Sequence, residues 1–309
     1  MALAAVSATV LLLAVVAAPV HLAAASWPYR CPTVGLLMWQ ALGLAGGLLA
    51  LELLLTIALS PYGTTHLSAL RALLGGDGGP VRWWSVLAAV LWLLLLARLL
   101  AVLLRSSLGT LRARRQHRHL VDLVGTRNPL LPGARVVASE VPVAYCLPGM
   151  RARVVLSTGT VQALRDDELR AVLAHERAHV EQRHDLVVLP FLALGRTFPR
   201  LPAVRCAQLQ VATLIEVLAD DRAARQHSAP VLARALRKVS AGGAPAGGLG
   251  MAGPPGGFEP GPAGAGVLLR AGRLVDRPAL LPRGQLLAAL AANAAVALLP
   301  VVPLVVPLL

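Results

Sequence analysis

Cysteine is scarce in this sequence of 309 residues, and acidic residues are few. The three cysteines, Cys31, Cys146 and Cys206, form no close pair and no CxxC motif, which argues against a disulfide framework and against a thiolate metal cluster. Only 15 acidic residues oppose 29 basic ones, for a net charge of +14. The basic residues are nearly all arginines that lie outside the apolar runs. Their placement therefore indicates membrane topology more than it indicates nucleic-acid binding.

Charged residues are also nearly absent from four long apolar segments. Apolar residues make up 56% of the sequence, more than the usual globular share, and each segment is long enough for a helix to cross a hydrocarbon core of about 30 Å. The first segment has no basic leader, so we predict a retained span and not a cleaved signal peptide. Prolines in the last segment predict an irregular final turn. The predicted spans cover residues 1–20, 34–60, 83–104 and 284–309.

The placement of arginines predicts the orientation of these spans. Arg105, Arg112 and Arg118 follow the third span, and Arg270 and Arg283 precede the fourth. Because basic residues favour the cytoplasmic side, we expect the region between spans three and four to be cytoplasmic. Both termini should then lie outside a cell membrane that the chain crosses four times.

Two ionisable residues, Glu52 and Arg98, fall inside predicted spans. Ionisable groups at such positions are functional candidates by default. These two can also simply pair with each other, and we assign them no role.

Residues 105–240 are predicted to form a compact α+β domain. Short apolar runs between residues 134 and 156 predict a small antiparallel sheet or hairpin. The acidic run at residues 166–168 suits the positive end of a helix that begins there, and further helices are expected through residues 209–223 and 231–239. Residues 241–283 are predicted to form a linker rich in Gly and Pro, followed by a basic segment.

His175, Glu176 and His179 form an HExxH motif within a strongly helical stretch. Residues four apart lie on one helix face, so both histidines can bind one zinc ion while Glu176 lies beside it. Zinc activates water for attack on a peptide carbonyl, and Glu176 can act as the catalytic base. The alternative is an exposed helix whose histidines pair with acids, but the helical context favours a metal site.

A catalytic zinc takes a third protein ligand, and Glu216 is the candidate. It is isolated in an apolar run, where a carboxylate is costly to bury unless it is paired or binds metal. Asp220 is predicted to accept the free ring N–H of a ligating histidine and so to fix its tautomer. We interpret Asp221 as a solvated acid beside Arg222, and His184 as part of a structural end to the motif helix.

These motifs resemble those of known membrane peptidases. The HExxH segment, the later stretch Glu216–Ala223, and three spans before with one after resemble the M56 peptidases, the antibiotic-sensor transducers related to the BlaR and MecR proteins. The motifs occupy only residues 175–225 and are similar in outline to those of M48 peptidases, the CAAX prenyl protease and HtpX-like group.

The resemblance implies an α-helical integral membrane protein with a cytoplasmic, zincin-like α+β metallopeptidase domain. One Zn²⁺ would be bound by His175, His179 and Glu216, with Glu176 as the base and Asp220 in support. The strands between residues 138 and 156 would receive a substrate peptide as a further strand.

The resemblance also suggests a role in signal transduction. The substrate would be a protein or peptide at the inner membrane face, with a BlaI-type transcriptional repressor as one candidate. The sensor transducers carry an extracellular penicillin-binding domain after their last span, whereas this sequence ends at Leu309, so we expect no β-lactam sensing of their kind.

Other functions stay open. A quality-control protease of the M48 type would cut damaged membrane proteins broadly, whereas a zinc-binding membrane receptor or scaffold would hydrolyse nothing. Direct nucleic-acid binding is not expected, because the basic run from Arg112 to Arg118 lies next to a span, where anionic lipid headgroups explain it. The sequence does not single out an oxyanion-stabilising group among Tyr145, His184 and nearby arginines.

Overall fold

Helices dominate the protein, and a small mixed sheet lies near the middle of the chain. The computed structural model describes residues 1–76, 81–128, 131–147, 153–241 and 263–306. Most of the predicted Gly/Pro-rich linker, and Pro307 in the last span, lie outside the described residues. The helices are α1 (Ala2–Ala24), α2 (Trp27–Arg30), α3 (Pro32–Leu59), α4 (His66–Gly75), α5 (Trp83–Val124), α6 (Thr158–Ala163), α7 (Asp166–Glu181), α8 (His184–Thr197), α9 (Pro202–Ala223), α10 (Ala229–Ala241), α11 (Ala263–Val275), α12 (Arg283–Leu298) and α13 (Val302–Val305), and the strands are β1 (Thr126–Arg127), β2 (Ala134–Val137), β3 (Ala144–Leu147) and β4 (Arg153–Ser157).

Four of these helical segments are long and apolar enough to cross a membrane, as predicted. They are α1, α3, α5 and the run from α12 to α13. The last run is interrupted by a 3₁₀ turn, Leu299–Val301, which contains Pro300, whereas the predicted irregular final turn lies in part outside the described residues. Pro300 causes the interruption, because its nitrogen donates no hydrogen bond and its ring crowds the preceding turn.

Helix α5 extends well beyond its predicted end near residue 104. Its 42 residues make a helix about 63 Å long, roughly twice the thickness of a hydrocarbon core. The arginines that follow residue 104 end the apolar stretch without interrupting the backbone hydrogen bonds of the helix. The last turns of α5 therefore continue beyond its apolar stretch, and Val121 packs against Leu147 and Val155 on one face of the sheet.

The ends of the membrane helices separate into two groups. At one end, the Met1 amine donates to the carbonyl of Thr64 over 3.0 Å, which joins the start of α1 to the loop after α3. At the other end, Arg30 donates to the carbonyl of Ala279 over 2.9 Å, and Arg273 donates to that of Tyr29 over 3.0 Å. The sheet and the helices α6 to α11 belong to this second end.

The sheet differs from the predicted antiparallel sheet or hairpin. Its strand order is β1-β2-β4-β3, and the central pair, β2 and β4, is parallel, with Ala134 opposite Val154. Among the described residues, strand β3 pairs antiparallel with β4 and forms one edge of the sheet. Short apolar runs reveal that strands exist but carry no information on their direction, and here β4 returns between β2 and β3.

The predicted helices from residue 166, through 209–223 and through 231–239 are confirmed as α7, α9 and α10. Within residues 241–283, predicted as a linker and a basic segment, residues 263–275 form helix α11, which was not predicted. Within α11, Ala271 and Leu274 are buried against α10 and α9, and this packing stabilises a helix that a Gly-rich sequence disfavours by itself.

Helices α8 and α9 share one apolar core with the membrane helices. Trp39 and Leu42 of α3, Phe191 of α8, and Val211 and Leu214 of α9 are all buried in it. Gln40 of α3 donates to the carbonyl of Val187 in α8 over 2.8 Å. The region that carries the HExxH motif is therefore anchored directly on the membrane helices.

The two ionisable residues inside the spans do not pair with each other. Glu52 Oε1 lies 3.0 Å from His66 Nε2, at the start of α4. Arg98 donates to the carbonyls of Arg196 and Thr197 over 3.3 and 3.2 Å, which satisfies the C-terminal carbonyls of α8. Each group has a nearer partner that the sequence does not reveal.

We predict that Thr64 and Gln162, both exposed, lie on opposite sides of the membrane. In a chain whose three native cysteines are replaced by serine, Thr64→Cys and Gln162→Cys would be labelled with a membrane-impermeant maleimide. One of them should react in intact cells and only the other in inverted vesicles. Reaction of both from one side would contradict the two-ended arrangement of the helices.

Candidate metal centre

Helix α7 presents its two motif histidines to one point. Residues four apart lie on the same helix face, and the Nε2 atoms of His175 and His179 are 3.1 Å apart. The start of this helix is held by Glu168, whose Oε2 accepts the backbone N–H of Arg165 over 3.0 Å and pairs with Lys238 over 2.6 Å. Both histidine side chains are buried, so their ring nitrogens are shielded from bulk water.

Helix α9 brings a carboxylate to the same point. Glu216 Oε2 lies 3.4 Å from His175 Nε2, and Glu216 Oε1 lies 3.5 Å from His179 Nε2. Zinc binds nitrogen and oxygen at about 2.0–2.2 Å in a tetrahedron, which places neighbouring ligand atoms about 3.3–3.6 Å apart. The three observed separations nearly match that spacing, so His175, His179 and Glu216 fit a single metal ion of this kind.

Glu176 lies beside this cluster and is fully buried. Within the described part of the chain neither of its carboxylate oxygens has a well-aligned hydrogen bond, although the backbone of Cys146 lies near enough to favour the ionised form. Burial raises the pKa of Glu176 to about 7, against the opposing charge of His175. A buried carboxylate that has no well-aligned hydrogen bond among the described residues, and whose pKa lies near neutrality, suits a group that exchanges protons with a water or a substrate.

The two histidines have opposite proton affinities. Burial alone would lower the pKa of His175, but the hydrogen bonds of Asp220 and Glu216 outweigh it and raise the pKa to about 10. Burial lowers the pKa of His179 to about 3, although the charge of Glu216 opposes this. In the metal-free protein the contacts with Asp220 and Glu216 therefore favour the protonated form of His175.

Asp220 lies one turn after Glu216 on α9. Its Oδ1 is 2.9 Å from Nδ1 of His175, the ring nitrogen that faces away from the cluster. This is the contact by which a carboxylate commonly orients a metal-binding histidine.

Arg270 of α11 was not foreseen as part of this site. It is 4% exposed, and it donates through Nε and Nη2 to the two carboxylate oxygens of Asp220 over 2.7 and 2.8 Å. Its Nη1 lies 2.8 Å from Glu216 Oε2. Burial would raise the pKa of Glu216, but the charges of Arg270 and His179 hold it well below its usual range. The sequence does contain a signal, because this arginine lies within an apolar run at residues 267–275. Only the membrane topology was predicted from it.

Asp221 is not the solvated acid that the sequence suggested. It forms a bidentate pair with Arg273 of α11, with N–O distances of 2.5 and 3.0 Å. Arg222, its neighbour in sequence, pairs instead with Glu181 over 3.3 Å. The pairing depends on α11, the helix that was not predicted.

His184 also differs from its predicted role. It begins α8 and does not close α7, because Arg183 takes a left-handed conformation with φ of 49° and reverses the chain. This turn brings His184 Nδ1 to 3.0 Å from His179 Nδ1, and burial lowers the pKa of His184 to about 4. A neutral His184 can accept the ring N–H of His179, as Asp220 can for His175.

Tyr145 is turned away from the cluster. Successive side chains of a strand face opposite sides of a sheet, and Tyr145 packs with Leu147 and Val155 on the face covered by α5. Its hydroxyl lies 2.7 Å from Nε2 of His117 on α5. Of the oxyanion candidates named from the sequence, Tyr145 therefore points elsewhere, while His184 already contacts His179.

Residues 109–255 of the chain match the model of peptidase family M48. The match supports a membrane-type metallopeptidase of family M48. M48 peptidases are typically zinc-dependent, which agrees with the ligand set described above. The match contains His175, Glu176, His179 and Glu216 but ends before α11 and Arg270. No curated protein and no solved structure matches the chain.

Replacing Arg270 should destabilise the protein more than replacing Arg273 on the same helix. Arg270→Met removes the arginine charge from buried Asp220 and partly buried Glu216, and breaking a buried ion pair typically costs about 3–5 kcal/mol. Arg273→Met breaks a pair that is more exposed, for which about 1 kcal/mol is expected. Unfolding of both metal-free variants in detergent would measure the difference, and equal losses would contradict the central place of Arg270.

Metal binding should release a proton from His175. Because its pKa is raised to about 10, the metal-free site keeps this proton at pH 7.5, and zinc must displace it. Calorimetry in buffers of different ionisation enthalpy should show release of about one proton, and zinc affinity should rise about tenfold per pH unit between pH 7 and 9.

Asp220→Asn provides the matched control for that measurement. The variant lowers the pKa of His175, so it should release fewer protons and bind zinc about 10–100-fold more weakly. Unchanged affinity and proton release in Asp220→Asn would refute the role assigned to this contact.

Proposed function

We propose that this protein is a membrane-embedded zinc endopeptidase that cleaves proteins at the cytoplasmic face of the membrane. The observation that carries the proposal is the convergence of His175, His179 and Glu216 on one point, with Glu176 beside it, inside the segment that matches family M48. The proposed peptidase domain comprises residues 105–240, as predicted from the sequence, and α11 is an added part of the site.

The metal ion would be held by His175 Nε2, His179 Nε2 and one carboxylate oxygen of Glu216. When bound, it supplies the Lewis acidity that activates water and polarises the scissile carbonyl. Asp220 orients the ring of His175 through Nδ1, and His184 does the same for His179. Arg270 offsets the negative charge of buried Asp220 and partly buried Glu216.

Glu176 is the proposed catalytic base. With a pKa of about 7, its carboxylate accepts a proton from the attacking water and then delivers it to the nitrogen of the departing amine. Because the side chain is buried and has few competing partners, its oxygens remain available to the water and to the substrate.

Strand β3 is the proposed docking edge for the substrate backbone. It lies at the edge of the sheet, and Cys146 in this strand faces Glu176. An extended peptide that pairs with β3 would add a strand beside α7 and pass close to the cluster. This mode of binding selects for unfolded or extended segments of a protein.

The membrane position limits the choice of substrate. Helices α8 and α9 share a core with α1 and α3, so the site is close to the membrane surface. The arginines around the site favour the cytoplasmic side, with both termini outside. Proteins held at or near the inner surface are therefore the proposed substrates.

Two cellular roles follow from the two family resemblances. A signalling role, of the kind found in M56 transducers, would require selective cleavage of one protein such as a BlaI-type repressor. A quality-control role is favoured by the M48 match and would produce broad cleavage of unfolded membrane proteins. Incubation with a candidate repressor and an unfolded reporter separates the two roles. Cleavage of the repressor alone would support the signalling role, whereas cleavage of both proteins would support the quality-control role.

The peptidase chemistry is tested by three variants in detergent, with an unfolded protein as substrate. Glu176→Gln should keep zinc and lose at least about a hundredfold of the cleavage rate, because general-base catalysis contributes about 10²–10⁴-fold. Glu216→Ala should lose the metal. The control is Glu181→Gln, an exposed acid on the same helix, which should change neither property.

The pattern of results distinguishes a peptidase from a zinc-binding scaffold. A scaffold predicts that Glu176→Gln leaves every phenotype intact, whereas His175→Ala does not. Equal cleavage by wild type and Glu176→Gln would contradict the proposed base.

A further inference from the structure

Helix α11 uses only one of its faces to contact the metal centre and the neighbouring helices. That face carries Arg270, Ala271 and Leu274, which are all buried. The opposite face carries Leu268 and Val275, whose side chains are 69% and 63% exposed. Residues seven apart lie on the same side of a helix, so these two side chains form one stripe. Exposed apolar surface of this kind is typical of sites that contact a partner or a membrane.

Further exposed apolar side chains lie beside this stripe and after the end of α11. Leu269 is exposed next to Leu268. Leu280 is 85% exposed, and it lies three residues before α12, the start of the fourth candidate span. We call these four side chains the α11 apolar surface. It consists of Leu268, Leu269, Val275 and Leu280.

Hydrogen bonds fix the position of this surface relative to the membrane helices. Arg273 donates to the carbonyl of Tyr29 over 3.0 Å. Arg30 donates to the carbonyls of Ala279 and Leu280 over 2.9 and 3.2 Å. Tyr29 and Arg30 belong to α2, the short helix between the candidate spans α1 and α3. The α11 apolar surface therefore lies at the level where α1 ends and where α3 and α12 begin.

The charges around this surface are mostly positive. Arg277 and Arg283 are exposed, and Asp276 is the single acidic residue of the sequence between positions 267 and 283. Apolar side chains on one face of a helix, with arginines beside them, are the pattern of a helix that lies in the interface of a bilayer. Anionic headgroups attract such arginines. Charge, apolar character and position therefore all favour a membrane surface.

We propose that α11 lies in the headgroup region of the membrane, with the α11 apolar surface against the acyl chains and Arg277 and Arg283 against anionic headgroups. The inference rests on the membrane placement of the proposed function. The bilayer is the partner because only seven residues, 276–282, separate α11 from α12, which continues as a candidate span. This short connection keeps α11 at the membrane surface.

Contact between α11 and lipid would act on the metal centre through Arg270. This arginine lies on the buried face of the same helix, with its Nε 2.7 Å from Asp220 Oδ2 and its Nη1 2.8 Å from Glu216 Oε2. A helix of 13 residues moves as one body, so a force on its exposed face displaces its buried face as well. An anionic membrane would therefore hold Arg270 against the two carboxylates that support metal binding.

Spin labelling of the full chain tests the contact with lipid. In Glu176→Gln protein with its three cysteines replaced by serine, Val275→Cys would carry a nitroxide, and Gln162→Cys, exposed on α6, provides the matched control. In nanodiscs that contain phosphatidylglycerol, the label at position 275 should collide more often with oxygen, which concentrates in the bilayer, than with a water-soluble nickel chelate. The label at position 162 should show the reverse order.

Two results would overturn the proposal. Equal access of the nickel chelate to both labels would show that the α11 apolar surface faces water. A label at position 275 that is shielded from oxygen and from the chelate would show that protein covers this surface. The measurement involves neither zinc nor cleavage, so its failure is distinguishable from a failure of the proposed peptidase function.

Zinc affinity measured in two kinds of nanodisc tests the coupling to the metal centre. Wild type should bind zinc about fivefold more tightly with phosphatidylglycerol present than with phosphatidylcholine alone, the factor expected for one arginine near an anionic surface. Leu268→Glu should lose this lipid dependence. Leu123→Glu, at an exposed position near the end of α5, should keep it. Equal affinity of wild type in both lipids, or the same lipid dependence in Leu268→Glu, would contradict the coupling.

Discussion

The site depends on positive charge that balances the carboxylates of Glu216 and Asp220. The two carboxylates lie one helical turn apart on α9, and both contact buried polar partners. Two ionised carboxylates cannot be kept out of water without counter-charges and hydrogen bonds. Arg270 contacts both, His175 contacts both, and a divalent ion at the cluster would add positive charge at the same point.

This constraint explains why distant parts of the chain meet at one place. Helix α7 supplies the histidines, α9 supplies the carboxylates, and α11 supplies the arginine from beyond the matched segment. Helix α9 also packs on α1 and α3 through its apolar face. A change in the packing of the membrane helices would therefore reach the candidate metal centre through α8 and α9, which gives the spans a physical route to influence the site.

The sequence predicted those features that depend on local patterns. Four apolar segments, the helical HExxH stretch and the helix around Glu216 follow from periodicity and length, and the helices form as expected. The motif residues converge because their spacing on α7 is fixed by helix geometry. What the sequence did not reveal depends on tertiary contacts: the parallel pairing of β2 with β4, the arrival of Arg270 and Arg273 on α11, and the reversal at Arg183 that brings His184 to His179. No nearby sequence pattern indicates these contacts, because each contact depends on which residues the fold brings together.

Zinc K-edge X-ray absorption of the purified protein addresses the candidate metal centre itself, because it reports the metal and its ligands without any substrate. We expect about one zinc per chain, with imidazole nitrogen and carboxylate oxygen at about 2.0–2.2 Å from the metal and with scattering from two histidine rings. Absence of zinc, or a sulfur scatterer at about 2.3 Å from one of the cysteines, would contradict a centre built from His175, His179 and Glu216.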